Sequence, residues 1–285
     1  MKISRDNVLD ILKIAFNEDL KGKDHSSIAC IDKDKIGHAK LISKENGMIA
    51  GLQLAEWIFE YNDSKLKLLK LKKDGDYVKK GDTILEVSGN LLSILRSERI
   101  VLNFMQRMSA IATKTSSFVK IINNKKTKLL DTRKTTPGNR IIEKWAVNIG
   151  GGVNHRFGLY DMILIKDNHI DFCGGVKNAI NKCKNYIDQK KLDIKLVIEA
   201  RNLSEVKQII NLGGINRIIL DNFTIGKTKK ALILINKKFE VESSGNINIK
   251  NITNYADCGV DYISVGALTH SINNFDLSLI SSYKI

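Results

Sequence analysis

The sequence has a single proline, few aromatic residues and no apolar run long enough to cross a membrane. Of its 285 residues, 43% are hydrophobic and 6% are aromatic. A membrane-spanning helix needs about 20 consecutive apolar residues, and a secretory signal needs an uninterrupted apolar segment. The amino terminus instead carries acidic residues and has helical periodicity. We therefore expect a globular cytoplasmic protein, of one large or two modest domains, with no membrane partner.

Cysteine is also sparse, and its spacing is uninformative. The four cysteines are Cys30, Cys173, Cys183 and Cys258. They form neither a C-x-x-C pair nor a spacing typical of metal ligands. The pattern predicts neither a disulfide framework nor a zinc site, and we interpret these residues as buried or idle thiols.

Arginine is scarce in a chain that is nevertheless strongly basic. The net charge is +15, yet only nine of the 46 basic residues are arginines, and the lysines are spread along the whole chain. A basic surface is typical of nucleic-acid binding, so that function is one alternative, which filter binding in a salt series would test. We interpret the lysines as a solvated coat and expect no nucleic-acid partner.

The first part of the chain mixes helices with short alternating strands. Helical periodicity covers 5–20, 53–63 and 92–119. Two short strands around a turn are predicted in 38–52, and alternation with turns at Asp74-Gly75 and around Gly81 predicts β-hairpins in 66–90. On the long third helix, Leu95, Leu102, Met105 and Met108, or near neighbours of these residues, mark a buried face. We expect a small sheet supported by helices.

The rest of the chain alternates strands with helices. Apolar runs typical of strands end near Asp131, Ile165, Glu199, Asp221, Ser243 and Gly266, and helical patterns separate them, the first of which starts at Pro137. Such alternation predicts six parallel strands in an α/β fold, and a barrel or partial barrel is favoured over an open sheet.

Charged and small residues follow these strands in a definite order. Arg133 and Lys134 follow the first strand and Lys166 the second; Glu199 and Asp221 end the next two; Ser244, Gly245 and Gly266 end the last two. Active sites of such folds form at the carboxyl ends of the strands, and phosphate commonly binds the late loops. This order predicts a ligand with a terminal phosphate, a hydroxylated centre associated with Mg²⁺, and a second anionic part.

Several long motifs resemble the quinolinate phosphoribosyltransferase family. They are DTRKTTPG, GGGVNHRFGLYDMILIKDNHI, LDNF, ESSGNI and GVDYISVGALTHS, together with MIAGL, DGDYVKKGD and SERIVLNFMQRMSAIAT upstream. The likeness extends from about Met48 to Ser271. It implies an N-terminal α/β sandwich domain over 1–112, joined by 272–285, and an incomplete, seven-stranded α/β barrel over 113–271.

The resemblance also implies an activity. Members of the family transfer the phosphoribosyl group of PRPP to quinolinate with Mg²⁺ as cofactor, and release carbon dioxide and pyrophosphate. The product, nicotinate mononucleotide, enters NAD biosynthesis. The alternative within this fold is a paralogue that acts on another acceptor, like the proteins of molybdenum-transport operons.

The motifs carry the family's site residues onto this chain. A cationic pocket for the substrates is expected from Arg99, Arg133, Lys134, His155, Arg156 and Lys166, with Thr132 beside it. His155 and His169 are each expected to contact the ligand or to support residues that do, and contact is favoured for His155 because it adjoins Arg156. Arg99 would be donated across the interface of a homo-oligomer, a dimer or a hexamer. Lys134, Lys166, Glu199 and Asp221 are expected to be catalytic, and the two carboxylates to face the ribose hydroxyls and Mg²⁺. The 5-phosphate is expected to bind Ser244, Gly245, Asn246, Val265, Gly266 and Ala267.

The chain departs from the family pattern at a few positions. Arg201 stands where a further acid is common, and Asn246 replaces a frequent glycine. The loop over 21–27 is a loose version of the family's segment. Of these, Arg201 is the first residue we would suspect if the acceptor were not quinolinate.

Overall fold

The computed structural model describes residues 3–122 and 126–281. In chain order its elements are α1 (Leu9–Leu20), α2 (His25–Cys30), β1 (Ile36–Ser43), β2 (Gly47–Met48), α3 (Leu52–Asn62), β3 (Lys67–Lys70), β4 (Tyr77–Val78), β5 (Thr83–Asn90), α4 (Leu91–Ile122), β6 (Lys128–Leu130), α5 (Arg140–Ile149), β7 (Met162–Ile165), α6 (Asp167–Phe172), α7 (Val176–Lys190), β8 (Lys195–Ala200), α8 (Leu203–Leu212), β9 (Arg217–Asp221), α9 (Ile225–Ile235), β10 (Glu240–Ser244), α10 (Ile252–Ala256), β11 (Tyr262–Ser264), α11 (Ala267–His270) and β12 (Leu277–Ser281). No helix in these described ranges is long and apolar enough to span a membrane.

The chain forms two compact units. The first unit contains the described parts of 1–116, 135–151 and 268–285, and the second contains those of 117–134 and 152–267. The chain therefore passes from one unit to the other several times. The domain boundaries expected near residues 112 and 271 stay a prediction.

The first unit is built on a four-stranded antiparallel sheet in the order β12-β1-β5-β3, and β2 pairs separately with β4. The predicted turn glycines Gly75 and Gly81 both have a φ of +94°, which other residues rarely adopt. The predicted helices are present. On α4, Met105 and Met108 are fully buried, whereas Leu95, expected on the same face, is 38% exposed and Ile94 is buried in its place.

Helix α5 belongs to the first unit. Its Trp145 ring lies 5.8 Å from that of Trp57, and its buried Glu143 accepts a hydrogen bond of 2.8 Å from Arg107. The predicted helix is confirmed, but it starts at Arg140 and not at Pro137. Gly138 has a φ of +77°, outside the helical region, so the chain turns once more after the proline before the helix begins.

The second unit is built on a six-stranded parallel sheet in the order β6-β11-β10-β9-β8-β7. All six predicted strands are confirmed. Val153 adds an isolated parallel bridge to Leu130 of β6, on which β11 also pairs. The expected closure of these strands into an incomplete barrel stays a prediction.

The core of the parallel sheet explains its sequence. Strands β8, β9 and β10 are buried along most of their length, and Leu164, Val197 and Ile219 form one hydrophobic cluster with Met162 against it. Strands covered on both faces read as continuous apolar runs, which is why they could be located from the sequence. Because all six run parallel, their carboxyl ends lie along one edge of the sheet.

Candidate active site

The predicted site residues of the second unit lie at this carboxyl-terminal edge. Thr132, Arg133 and Lys134 follow β6, Lys166 follows β7, Glu199 and Asp221 lie at the ends of β8 and β9, Ser244, Gly245 and Asn246 end and follow β10, and Val265, Gly266 and Ala267 follow β11. The register brings the ends level, since Ser244 pairs with Asp221. Arg99 is an exposed residue of α4, in the first unit.

Two arginines form the cationic part of the site. Arg156 is 7% exposed and donates a hydrogen bond of 3.1 Å to the carbonyl oxygen of Met162. Burial and the like charge of Arg133 lower the pKa of Arg156. The Nε of Arg133 is buried and has no hydrogen-bond partner within the described part of the chain. A buried donor without a partner, next to a second guanidinium, is suited to bind an anion.

A buried aspartate holds the segment that carries Arg156 in place. Asp131 is fully buried, and its carboxylate accepts hydrogen bonds from the backbone N–H of His155 at 2.8 Å and from Asn154 Nδ2 at 2.6 Å. Both oxygens of Asp131 are therefore used to hold the turn. The carboxylate positions the cationic residues and is not directed at solvent.

The ring of His155 is enclosed between backbone and carboxylate. Its Nδ1 accepts a hydrogen bond of 2.7 Å from the backbone N–H of Arg156, which places the proton of the neutral ring on Nε2. That nitrogen lies 3.5 Å from Oε2 of Glu242. Both ring nitrogens thus have protein neighbours, so in this structure His155 braces the start of the cationic segment.

Glu242 connects His155 to the interior of the sheet. It is 1% exposed and also lies 2.9 Å from Nη1 of Arg217. Burial alone would raise the pKa of Glu242, but the hydrogen bonds and charges of His155 and Arg217 hold it below the usual range. A paired, ionised carboxylate below the site keeps the ring of His155 in one orientation.

Lys166 reaches the carboxylates from the end of β7. Its Nζ lies 3.3 Å from Oε1 of Glu199, and the lysine side chain is 47% exposed. Its backbone N–H donates a hydrogen bond of 2.9 Å to Nδ1 of the exposed His169, which closes the first turn of α6. The lysine is anchored at its backbone while its ammonium group remains accessible.

Glu199 has the perturbed acidity typical of a functional carboxylate. Burial raises its pKa, Lys166 acts in the opposite direction, and the negative charges of Asp221 and Asp167 raise it further. The charges of Lys166, Asp221 and Asp167 therefore all act on Glu199. Such a combination of burial and specific charged partners is enriched at active sites.

The raised pKa of Glu199 makes stability depend on pH in a defined direction. The folded protein holds this proton more tightly than the unfolded chain does, so the stabilisation is complete below the ordinary carboxyl pKa and is lost as pH rises through the raised value. Glu199→Gln carries no such charge. We expect the melting temperature of this variant, minus that of the wild type, to increase between about pH 4 and about pH 7. Thermal unfolding at the two pH values measures it, and a constant difference would contradict the burial argument.

The turns after β9 and β10 have an unusual backbone. Asn222, Gly245 and Asn246 have φ values of +55°, +92° and +53°. A Cβ atom on Gly245 would clash with Oδ1 of Asn222, so glycine is required there. Strained backbone of this kind is typical of functional sites, where the surrounding structure maintains it.

Arg201, the departure from the family pattern, is neutralised by acidic neighbours. Its guanidinium lies 2.7 Å from Oε1 of Glu205 and 3.0 Å from Asp171. The hydrogen bonds that its guanidinium donates to Glu205 and Asp171 raise the pKa of Arg201. Its charge is satisfied by the helices α8 and α6, so it does not add an unpaired cation at the edge of the sheet.

A cavity of about 1100 Å³ lies elsewhere in the second unit. It is lined at the amino-terminal ends of three strands, by Asn216, Glu240 and Asp261 among others, and contains none of the predicted site residues. The predicted site residues instead lie at the opposite, carboxyl-terminal edge of the sheet. We assign the site to that edge because the charged residues converge there.

Three residues of the site were not singled out in the sequence: Asp131, Glu242 and Asn222. Asp131 and Glu242 are carboxylates within buried apolar runs, which is itself a signal, because such charges are rarely buried without a partner. Asn222 gives no comparable signal, because its role depends on a left-handed backbone that the sequence patterns did not predict.

Comparisons with known proteins agree with this geometry. Residues 24–109 match the family model for the N-terminal domain of quinolinate phosphoribosyl transferase, and residues 111–280 match that for its C-terminal domain. Relatives include the chloroplastic nicotinate-nucleotide pyrophosphorylase (carboxylating) of Arabidopsis thaliana, 43% identical over 284 residues, which cover 94% of this chain and 81% of the relative. A probable enzyme of the same name from Bacillus subtilis is 36% identical over 269 residues, covering 94% of this chain and 91% of the relative.

A solved structure extends the likeness to three dimensions. The nicotinate-nucleotide pyrophosphorylase of Francisella tularensis matches with a TM-score of 0.91 and 37% identity, covering 99% of this chain and 98% of that one. Both family models together cover most of the sequence, and the relatives cover nearly all of it. The chain therefore belongs to the quinolinate phosphoribosyltransferase family.

Proposed function

We propose that this protein transfers the phosphoribosyl group of PRPP to quinolinate, with loss of carbon dioxide and pyrophosphate, and so forms nicotinate mononucleotide for NAD biosynthesis. The observation that carries this proposal is the single sheet edge at which cations, two carboxylates and a glycine turn converge. These are the chemical complements of a dicarboxylate, a ribose centre and a phosphate.

The two arginines supply a site for the acceptor. Quinolinate carries adjacent carboxylates, and the planar guanidinium group binds carboxylates through paired hydrogen bonds better than an ammonium group does. The buried Nε of Arg133, which has no hydrogen-bond partner among the described residues, and the neighbouring buried Arg156 support this assignment. His155 contributes by holding the backbone of Arg156 in place.

The carboxylates serve the ribose. Departure of pyrophosphate from the anomeric carbon develops positive charge on the ring, which a nearby carboxylate stabilises. Glu199 and Asp221 lie at neighbouring strand ends, where they are suited to bind the ribose hydroxyls. Lys134 and Lys166 would offset the charge of the leaving group. On this account the protein supplies positioning and electrostatics, without a covalent nucleophile.

The donor set near Glu199 fits Mg²⁺ that is bound together with the substrate. Glu199 and Asp221 are oxygen donors, and the described residues contain no group of three or more side chains suited to hold a metal by themselves. Mg²⁺ usually takes one or two carboxylates together with substrate phosphates. When bound, it would offset the negative charge of the pyrophosphate.

The late turns are suited to the 5-phosphate. The positive φ values of Gly245 and Asn246 give the concave backbone in which successive N–H groups bind anions, and Ser244 adds a hydroxyl. Val265, Gly266 and Ala267 follow the neighbouring strand β11, with small side chains that admit close approach. Once the ring nitrogen of the acceptor is bonded to ribose, its positive charge favours loss of the adjacent carboxylate as carbon dioxide, and the ring carbon, which keeps the electron pair, takes up a proton from water.

Parallel assays with two acids test the activity. The protein is given PRPP and Mg²⁺ with either quinolinate or nicotinate, and nicotinate mononucleotide and carbon dioxide are measured. We expect product and gas from quinolinate alone. Failure with both acids, in a protein with an intact thermal transition, would overturn the proposal and favour the paralogue with another acceptor.

We also propose that the active form is a homo-oligomer in the cytoplasm, in which Arg99 of one subunit serves the site of another. The exposure of Arg99 on α4 is compatible with this. Arg99→Ala and Lys166→Ala should each be nearly inactive, but dissociation and reassembly of a mixture should restore about a quarter of the wild-type activity, because mixed dimers regain one intact site. No recovery in a mixture with verified subunit exchange would contradict donation across an interface.

A further inference from the structure

The turns after β9 and β10 are joined by two side-chain hydrogen bonds that end on Asp221. Asn246 Nδ2 donates to Oδ1 of Asn222 at 3.0 Å, and Asn222 Nδ2 donates to Oδ2 of Asp221 at 2.9 Å. The amide of Asn222 thus accepts on one side and donates on the other. Turning it over would put its carbonyl oxygen against a carboxylate, so both neighbours fix the same orientation.

We propose that Asn222 is a positioning residue, which holds the carboxylate of Asp221 in the orientation that receives PRPP and connects it to the turn formed by Ser244, Gly245 and Asn246. The proposal rests on the proposed function, since it concerns the same substrate. It assigns to Asn222 a task in PRPP binding that is separate from binding of the acid.

The backbone supports this assignment. Asn222 has a φ of +55°, in the left-handed region that asparagine tolerates better than most residues. Its N–H donates to the carbonyl oxygen of Ser244 at 2.8 Å, so backbone and side chain both face the same turn. Gly245 leaves the space that Oδ1 of Asn222 occupies, because a Cβ atom there would clash with it. A strained conformation is maintained here together with two specific hydrogen bonds.

The far side of the turn is held as well. Asn251 Nδ2 donates to the carbonyl oxygen of Asn246 at 3.1 Å, and the hydroxyl of Tyr255 donates to the carbonyl oxygen of Phe223 at 2.9 Å. The residues on both sides of the two amides are therefore fixed. The amide of Asn222 therefore links Asp221 to the turn formed by Ser244, Gly245 and Asn246. A phosphate that orders this turn would also order the carboxylate of Asp221.

Two substitutions separate this role from a structural one. Asn222→Gly tolerates the left-handed backbone but removes the amide. Asn222→Asp retains the acceptor for Asn246 but cannot donate to Asp221 and places a second negative charge beside it. Asn236→Gly is the matched control, because Asn236 also has a positive φ, +46°, at the end of α9.

Calorimetric titration with PRPP and Mg²⁺, without an acid, measures the link independently of turnover. We expect Asn222→Gly to weaken PRPP binding about tenfold, the loss typical of a hydrogen bond to a charged group, and Asn222→Asp to weaken it further. The melting temperature of Asn222→Gly should be unchanged or higher, the KM for quinolinate should stay within about twofold, and Asn236→Gly should match the wild type.

A third variant tests the connection between the two turns. Asn246→Gly should have a smaller effect, and the double variant should bind PRPP no more weakly than Asn222→Gly alone, because the two amides act in series. Wild-type PRPP affinity in Asn222→Gly, or losses that multiply in the double variant, would overturn the positioning role. A wild-type protein that binds PRPP but transfers it to no acid would instead overturn the proposed function, and the affinities would still decide the role of Asn222.

Discussion

Lys166→Ala is expected to lower kcat/KM for phosphoribosyl transfer by about a hundredfold to a thousandfold, the usual cost of removing one group that stabilises charge in the transition state. The lysine side chain lies outside the core, since it is 47% exposed. Its removal has a second consequence. Lys166 counteracts the burial that raises the pKa of Glu199, so that pKa should rise further and the remaining activity should be lost at a higher pH on the acid side than in the wild type.

The control is a lysine at the other end of the same pair of strands. Lys195 is exposed and begins β8, next to the strand that Lys166 follows. Lys195→Ala should keep activity within about twofold, because surface substitutions away from a site have small effects. Circular dichroism and melting temperature would show whether each variant is folded. Near-normal turnover in folded Lys166→Ala would contradict the site.

The strands of the second unit were predictable because the apolar residues that mark each strand are consecutive in the sequence. A parallel strand covered on both faces must be apolar along its length, and it ends where the chain reaches solvent. The runs before Arg133 and Lys166 have this form, and both cations lie at the predicted edge. That edge follows from parallel direction alone, so most of the candidate site could be placed without coordinates.

Contacts between residues that are far apart in the sequence were not predictable in the same way. The pattern around Trp145 indicates a helix, but nothing local shows that this helix packs in the first unit with Trp57. The short helix α6 was not predicted, because its six residues are too few for a clear period. For His155, the sequence left both contact with a ligand and a supporting role open, and it could not indicate Glu242, the neighbour of the ring on a distant strand.

Arg201 shows how a distant partner changes the interpretation of a residue. In the sequence it appears as an extra positive charge near the carboxylates. Its bond to Glu205, four residues later on α8, could have been inferred from helical spacing, but its bond to Asp171 joins residues that are 30 positions apart. With both partners present, Arg201 is an ion-pair residue between α6 and α8. This supports quinolinate as the acceptor, since the residue we most suspected is neutralised.

Arg133→Met is expected to produce the second large loss and to act on the acid. The substitution keeps an unbranched side chain but removes the guanidinium, so the KM for quinolinate should rise about a hundredfold while the KM for PRPP changes little. Arg133→Lys should lie between this variant and the wild type, because it retains the charge but not the paired hydrogen bonds. Initial rates with each substrate varied in turn would measure both constants.

The stability of Arg133→Met should not fall together with its activity. Burial and the charge of Arg133 together lower the pKa of Arg156, which means that the two guanidinium groups repel each other. Removing Arg133 relieves this repulsion and also removes a buried donor that has no partner in the described structure. We therefore expect Arg133→Met to melt at a temperature equal to or above that of the wild type, as is common where a site is strained for function. A variant that lost both stability and activity would indicate that Arg133 supports the fold, and a variant with an unchanged KM for quinolinate would place the acid elsewhere.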